Sequence, residues 1–206
     1  INTDVFKRLN AGNFSEVNFF IKKEFLSILI FKKNKKYSAN DARLIGAKIA
    51  KAVNNNSSHI IIGDDKFPEE VAFGLKLRSY NFSKYRKLKS ESNYITSIYV
   101  LDGLAAENSF VEKTAILLGV NFTRDLINEP ANVLTTQEFS NRLVSLESTG
   151  LRVEVLDEKD LEKIGMRTLL CVGQGSESES KVVIMHWDGD SSVGSPLALV
   201  GKGVVF

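Results

Sequence analysis

Leu197-Ala-Leu-Val-Gly-Lys-Gly-Val-Val-Phe206 is the stretch from which the rest of the chain is best read. Leu197 to Val200 is an unbroken apolar run, the pattern of a strand buried on both faces. It leads directly into a lysine held between two glycines. Glycine lets a backbone bend sharply and approach other groups closely. Lys202 is therefore predicted at a tight turn at the end of a buried strand, placed to act rather than to be solvated.

Outward from this stretch, strand and helix signals alternate. Val17 to Ile21 and Leu26 to Phe31 read as strands joined by Lys22-Lys23-Glu24. Ser38 with Asp41 three residues on marks a helix start, followed by Ala42, Ile45, Ile49 and Ala52 at helical spacing. Ile60-Ile61-Ile62 is a short buried strand, Pro68 opens a helix through about Leu77, and Ile95, Ile98 and Val100 mark another strand. Glu107 to Asn128 reads as one long helix with Val111, Ala115, Leu118 and Phe122 along its apolar stripe, stopped by Pro130. Thr135 and Glu138 have capping-box spacing and open a helix carrying Phe139, Leu143 and Leu146 to Gly150. Leu151, Val153 and Val155 alternate with charged residues as a half-buried strand, and Asp157 caps a short helix closed by Gly165. Leu169 to Val172, Val182 to Met185 and Leu197 to Val200 read as further strands. The alternation predicts an α/β layer structure with a substantially parallel sheet.

Three segments carry a more specific signal: Arg124-Asp-Leu-Ile-Asn-Glu-Pro-Ala-Asn-Val-Leu134, Val172-Gly-Gln-Gly-Ser176 and Val200-Gly-Lys-Gly203. In this order and at this separation they resemble the cytosol (leucyl) aminopeptidase family of two-metal exopeptidases. Asn121 to Phe206 follows that pattern nearly continuously. Residues 1 to 120 follow it weakly, mainly at Gly74-Leu-Lys-Leu-Arg-Ser-Tyr-Asn-Phe-Ser-Lys-Tyr85.

The resemblance implies a fold: an N-terminal macro-domain-like α/β sandwich over residues 1–103, a linker helix over 104–128, and the start of an α/β metallopeptidase catalytic domain over 129–206. It also implies that Lys202 is a metal ligand, since the family's lysine at this position binds metal alongside carboxylates. An amine binds a metal only as the neutral base. The implied reaction is hydrolysis of an N-terminal peptide bond, with two divalent ions, manganese, zinc or magnesium, activating a water and polarising the carbonyl. The family's residue after Phe206 is a metal-binding aspartate, and its other carboxylates, a second lysine and an arginine follow. The chain is accordingly expected to be a piece of a longer protein. No catalytic residue is assigned to it, Lys202 is its one expected metal ligand, and alone it is expected to be inactive. Homo-hexamers of the full-length parent, peptide substrates and a cytoplasmic setting are implied in the same way.

Composition agrees with this class. Hydrophobic residues make up 43% and the formal net charge is +2, which gives no global attraction to nucleic acid. Cys171 is the single cysteine, so no internal disulfide forms and a reducing compartment fits. No apolar stretch reaches the roughly 18 residues of a membrane span.

Other polar features read as architecture. Arg124 to Asn132 is a helix end, a proline stop and asparagines tying down a turn. Gly173-Gln-Gly175 lacks the lysine and following helix of a phosphate loop and reads as a strand-to-loop turn. His59 and His186 have no ligand-spaced neighbours, and Cys171 in its apolar run reads as an inert core thiol. The basic runs Lys32 to Lys36 and Lys84 to Lys89, with Tyr80, Phe82 and Tyr85 nearby, read as solvated loops. They also carry the alternative function: a non-catalytic module of the same family binding DNA or a nucleotide. DNA ranks below peptide as the partner.

Overall fold

The computed structural model describes residues 14–21, 24–31, 35–53, 58–63, 65–87, 95–100, 104–189 and 194–204. The chain divides into two compact units, Ile1–Thr123 and Arg124–Phe206.

In unit 1, strands β1 (Phe14–Ile21) and β2 (Glu24–Phe31) form an antiparallel hairpin, with Phe14 opposite Phe31 and Ile21 opposite Glu24. A connection that short permits only the antiparallel arrangement. Helix α1 (Ala39–Ala52) begins on a complete capping box: Asp41 N–H donates to Ser38 Oγ, and Ser38 N–H donates to the Asp41 carboxylate at 2.9 Å. Strand β3 (Ser58–Ile62) pairs in parallel with β4 (Ile95–Val100), with a register shift between Ser58 and His59. Between them runs helix α2 (Pro68–Arg78), with proline in its first turn where a missing N–H costs nothing.

Helices α1 and α2 cross at two glycines. A Cβ at Gly46 would collide with the Val71 carbonyl, and one at Gly74 with the Arg43 carbonyl. The helices therefore touch backbone to backbone. Ala42, Ile49, Ile62, Val71, Ala72 and Leu75 form the core here, with Leu29, Phe31, Ile98 and Phe110 packed against it. Burying Leu75, which is fully enclosed, contributes about 2 kcal/mol. Glu70 is buried in this core on α2. It accepts from Arg43 of α1 at 2.8 Å and from Lys113 at 2.8 Å. Lys113 stands on the long helix α3 (Leu104–Asn128), so one carboxylate ties three helices together. Burial pushes this carboxyl up, but the bonds to Lys113 and Arg43 outweigh it and hold Glu70 below the usual carboxylate range.

In unit 2, α4 (Thr136–Val144) continues as a 3-10 turn (Ser145–Thr149) and stops at Gly150 with φ +97°. Strand β5 (Arg152–Leu156) pairs antiparallel with β6 (Val182–His186). Helices α5 (Glu158–Lys163) and α6 (Arg167–Gly173) lie between them in sequence. No described helix is long and apolar enough to cross a membrane.

The α/β class holds, while several sequence expectations are corrected. Only the β3–β4 pair is parallel among the three described strand pairs. A two-residue link reverses β1 into β2, and two successive helices reverse the chain between β5 and β6. Leu169 to Val172 lies in helix α6, not in a strand. Its four apolar residues are too short a run to separate helix from strand by periodicity. Leu197 to Val200 has no regular structure, because no described strand pairs with it. The apolar stripe of α3 is displaced: Val111 and Leu118 are exposed, while Phe110, Lys113 and Leu117 face inward. The Lys113–Glu70 pair lies on that inward side.

Candidate metal-ligand loop

The loop that holds Lys202 is built from α4 outward. Thr135 caps this helix by accepting from Glu138 N–H at 3.2 Å. The reciprocal half of the capping box is replaced: Glu138 turns its carboxylate to Arg142, one turn on, at 2.7 Å. Arg142 also donates to Glu129 at 2.8 Å, and the Glu129 side chain is only 2% exposed. Arg142 thus joins α4 to the residue that precedes Pro130. Its bonds to Glu138 and then Glu129 raise its own pKa. The turn itself is closed by Val133 and Leu134 N–H groups donating to the Pro130 carbonyl, both at 2.9 Å. Asn128 donates to the Arg124 carbonyl at 2.9 Å, the side-chain tie expected for this segment. α3 ends at Asn128, as the proline stop requires.

Phe139 stands on this clamped helix. A Cβ at Gly203 would meet Phe139 Cε1 at 3.3 Å. The Gly201-Lys202-Gly203 loop therefore lies against the Phe139 ring at its second glycine. A Cβ at Gly201 would meet nothing within 4 Å. Lys202 is exposed. The buried strand expected before it is not formed: Leu197 to Val200 is irregular and exposed. The sequence pattern put Phe139 on this helix, but nothing in it pointed to the Gly203 approach or to the Arg142–Glu129 bond. The i,i+4 spacing of Glu138 and Arg142 was the one available signal.

The other polar features occupy separate places. Gly173 ends α6, and a Cβ there would collide with Ser180 Oγ. Ser180 N–H donates to Glu158 at 2.8 Å, which brings that loop close. Gly173 is thus needed for a close approach at a helix end, which corrects the strand-to-loop reading. Cys171 is exposed, which corrects the core-thiol reading and follows from its place on a helix that the described residues leave open. A cleft of about 540 Å³ beside it is lined by Glu158, Glu162, Arg167, Leu170, Cys171 and Gln174. His186 is half-buried on β6 opposite Arg152, and the His59 side chain lies outside the described residues. Lys84 stands over the Tyr85 ring, which contacts Phe82. Lys32 to Asn34 lie outside the described residues. Among the described residues no group of three or more His, Cys, Asp or Glu could hold a metal.

Comparison with known proteins gives a consistent picture. Residues 121–206 match the model described as cytosol aminopeptidase family, catalytic domain. A probable cytosol aminopeptidase of Dinoroseobacter shibae is 41% identical over 100% of this chain, which spans 42% of that protein. Its counterpart in Cereibacter sphaeroides is 36% identical over 99% of the chain, again 42% of that protein. Among solved structures, the bottromycin maturation enzyme BotP in complex with Mn superposes with a TM-score of 0.74 at 21% identity, over 91% of this chain and 42% of that one. A tomato leucine aminopeptidase mutant gives 0.71 at 16% identity, over 87% and 39%. At those identities the structural matches speak for the fold.

Proposed function

The chain belongs to the cytosol aminopeptidase family over the 42% of its relatives' length that it spans, and on that premise we propose that it is part of a metal-dependent aminopeptidase with Lys202 as one metal ligand. The protein is proposed to release N-terminal residues of leucine type from peptides during protein turnover. A cytoplasmic setting and homo-hexamer assembly are proposed with it.

The observation that carries the reading is local. Lys202 lies inside the stretch that matches the catalytic domain, between glycines, and the second of these, Gly203, lies beside Phe139 of the helix that carries the Arg142–Glu129 pair. The exposed lysine is free to reach a metal whose other ligands lie elsewhere. The residues of this span do not by themselves fit a pair of divalent ions. Lys202 offers one amine, and no carboxylate cluster stands among the described residues. The other ligands are proposed to come from outside the span.

The test is substrate choice. An aminopeptidase must read a free amino terminus, so the protein containing this span should hydrolyse leucyl anilide and leave N-acetyl-leucyl anilide intact. Equal cleavage of both would overturn the assignment. The DNA or nucleotide alternative gains no support from the described residues.

A further inference from the structure

We propose that the cleft between α5 and α6 binds a short peptide with free amino and carboxyl ends, its ammonium group taken by Glu162 and its carboxylate by Arg167. Nothing in this depends on the aminopeptidase reading or on the Lys202 loop.

The cleft has a volume of about 540 Å³ and two walls. Glu158 and Glu162 stand one turn apart on α5, so they share a face of that helix. Arg167, Leu170, Cys171 and Gln174 follow at i, i+3, i+4 and i+7 along α6 and its C-cap, which puts them on one face as well. Both faces line the same space. A tight turn joins the walls. Gly165 takes φ +81°, and Met166 N–H donates to the Leu161 carbonyl at 2.9 Å. The Leu161 side chain is fully enclosed. On the acidic wall, Ser180 N–H donates to Glu158 at 2.8 Å, so one oxygen of that carboxylate is taken.

The remaining charges in the cleft are opposite and unneutralised. Among the described residues, neither the Glu162 carboxylate nor the Arg167 guanidinium has an ion-pair or hydrogen-bond partner. Nearby lysines are engaged elsewhere, Lys163 with Asp160 at 3.1 Å and Lys181 with Glu179 at 3.6 Å. Glu162 and Arg167 line one cleft yet stand beyond the about 4 Å within which an ion pair forms. A ligand carrying both charges can bridge them. A free amino acid holds its ammonium and carboxylate on one carbon, which suits groups that nearly touch. A di- or tripeptide separates them by one or two further residues, at about 3.3–3.6 Å each when extended. The cleft lies within the about 300–1,000 Å³ of small-molecule sites, so it has room for such a ligand. A guanidinium grips a carboxylate through two parallel hydrogen bonds, and the Gln174 amide offers a donor and an acceptor to the peptide unit. Leu170, half-buried among these polar groups, offers contact to an apolar side chain.

Cys171 is the single cysteine, is exposed and lines the cleft, so its thiol reports occupancy. Chain 1–206 is alkylated with iodoacetamide in rising concentrations of alanyl-leucine, and the labelled thiol is counted by mass spectrometry. Alkylation should slow saturably, by at least about threefold. N-acetyl-alanyl-leucine and alanyl-leucine amide each lack one terminal charge and should protect at least about tenfold more weakly. Arg167→Gln and Glu162→Gln should each weaken protection by alanyl-leucine at least about tenfold. Both side chains are exposed, so far-UV circular dichroism should not change in either variant. Lys163→Gln, outside the cleft, should leave protection as it is in wild type. Absence of protection overturns the proposal, as does equal protection by the blocked dipeptides or full protection in both cleft variants. A Cys171 that resists alkylation without peptide shows a closed cleft and overturns it too. None of these readouts involves turnover, so the aminopeptidase reading stands or falls separately.

Discussion

Single side chains carry the two clearest energetic claims. Glu70 is a buried carboxylate held by Lys113 and Arg43, so Glu70→Gln should destabilise the chain by about 2–3 kcal/mol in urea unfolding. Its carboxyl sits below the usual range in the folded state, so its contribution is present above the unfolded value of about 4.3. That contribution fades as pH falls through the lower folded value. The stability gap between wild type and Glu70→Gln should accordingly shrink below about pH 4.3, and a gap constant with pH would contradict the assignment. Arg142→Ala leaves buried Glu129 without this ion-pair partner and should cost about 3 kcal/mol, read from the same unfolding curves. At this scale the sequence was informative where partners are near neighbours. Ser38–Asp41, Thr135–Glu138 and Asp157 all cap as their spacing suggested. Glu70 with Lys113, and Arg142 with Glu129, were invisible, because nothing local marks a charge that finds its partner through the fold.

Elements were legible in proportion to their length and their punctuation. The long helix α3, its stop before Pro130 and the starts of α1, α2 and α5 follow from sequence. The short apolar runs did not resolve. Leu169 to Val172 is helical and Leu197 to Val200 is irregular, since both were read from hydrophobicity without a partner to confirm a strand. The α3 stripe was misplaced because the helix is apolar on more than one side, and the side with Phe110, Lys113 and Leu117 is the one that packs. Packing between elements gives a paired prediction. Gly74→Ala or Gly46→Ala must push α1 and α2 apart and should cost about 1–3 kcal/mol. Gly119→Ala, on α3 with nothing within 4 Å of the added carbon, should instead stabilise by about 0.5–1 kcal/mol. Thermal melts of the three variants decide it, and equal effects at all three sites would contradict the backbone-contact geometry of α1 and α2.

For the whole molecule, the α/β class and the family were readable from three short segments, and the relatives bear them out along the chain. The proposed metal site was not readable beyond Lys202, because a metal site is made of residues distant in sequence. Among the described residues, the lysine's loop lies beside Phe139 at Gly203. The most direct test is metal content and leucyl anilide turnover of the complete protein, wild type against Lys202→Ala. The account expects the variant to fold, to bind less metal and to lose nearly all turnover. Near-normal metal content with near-normal turnover would contradict it.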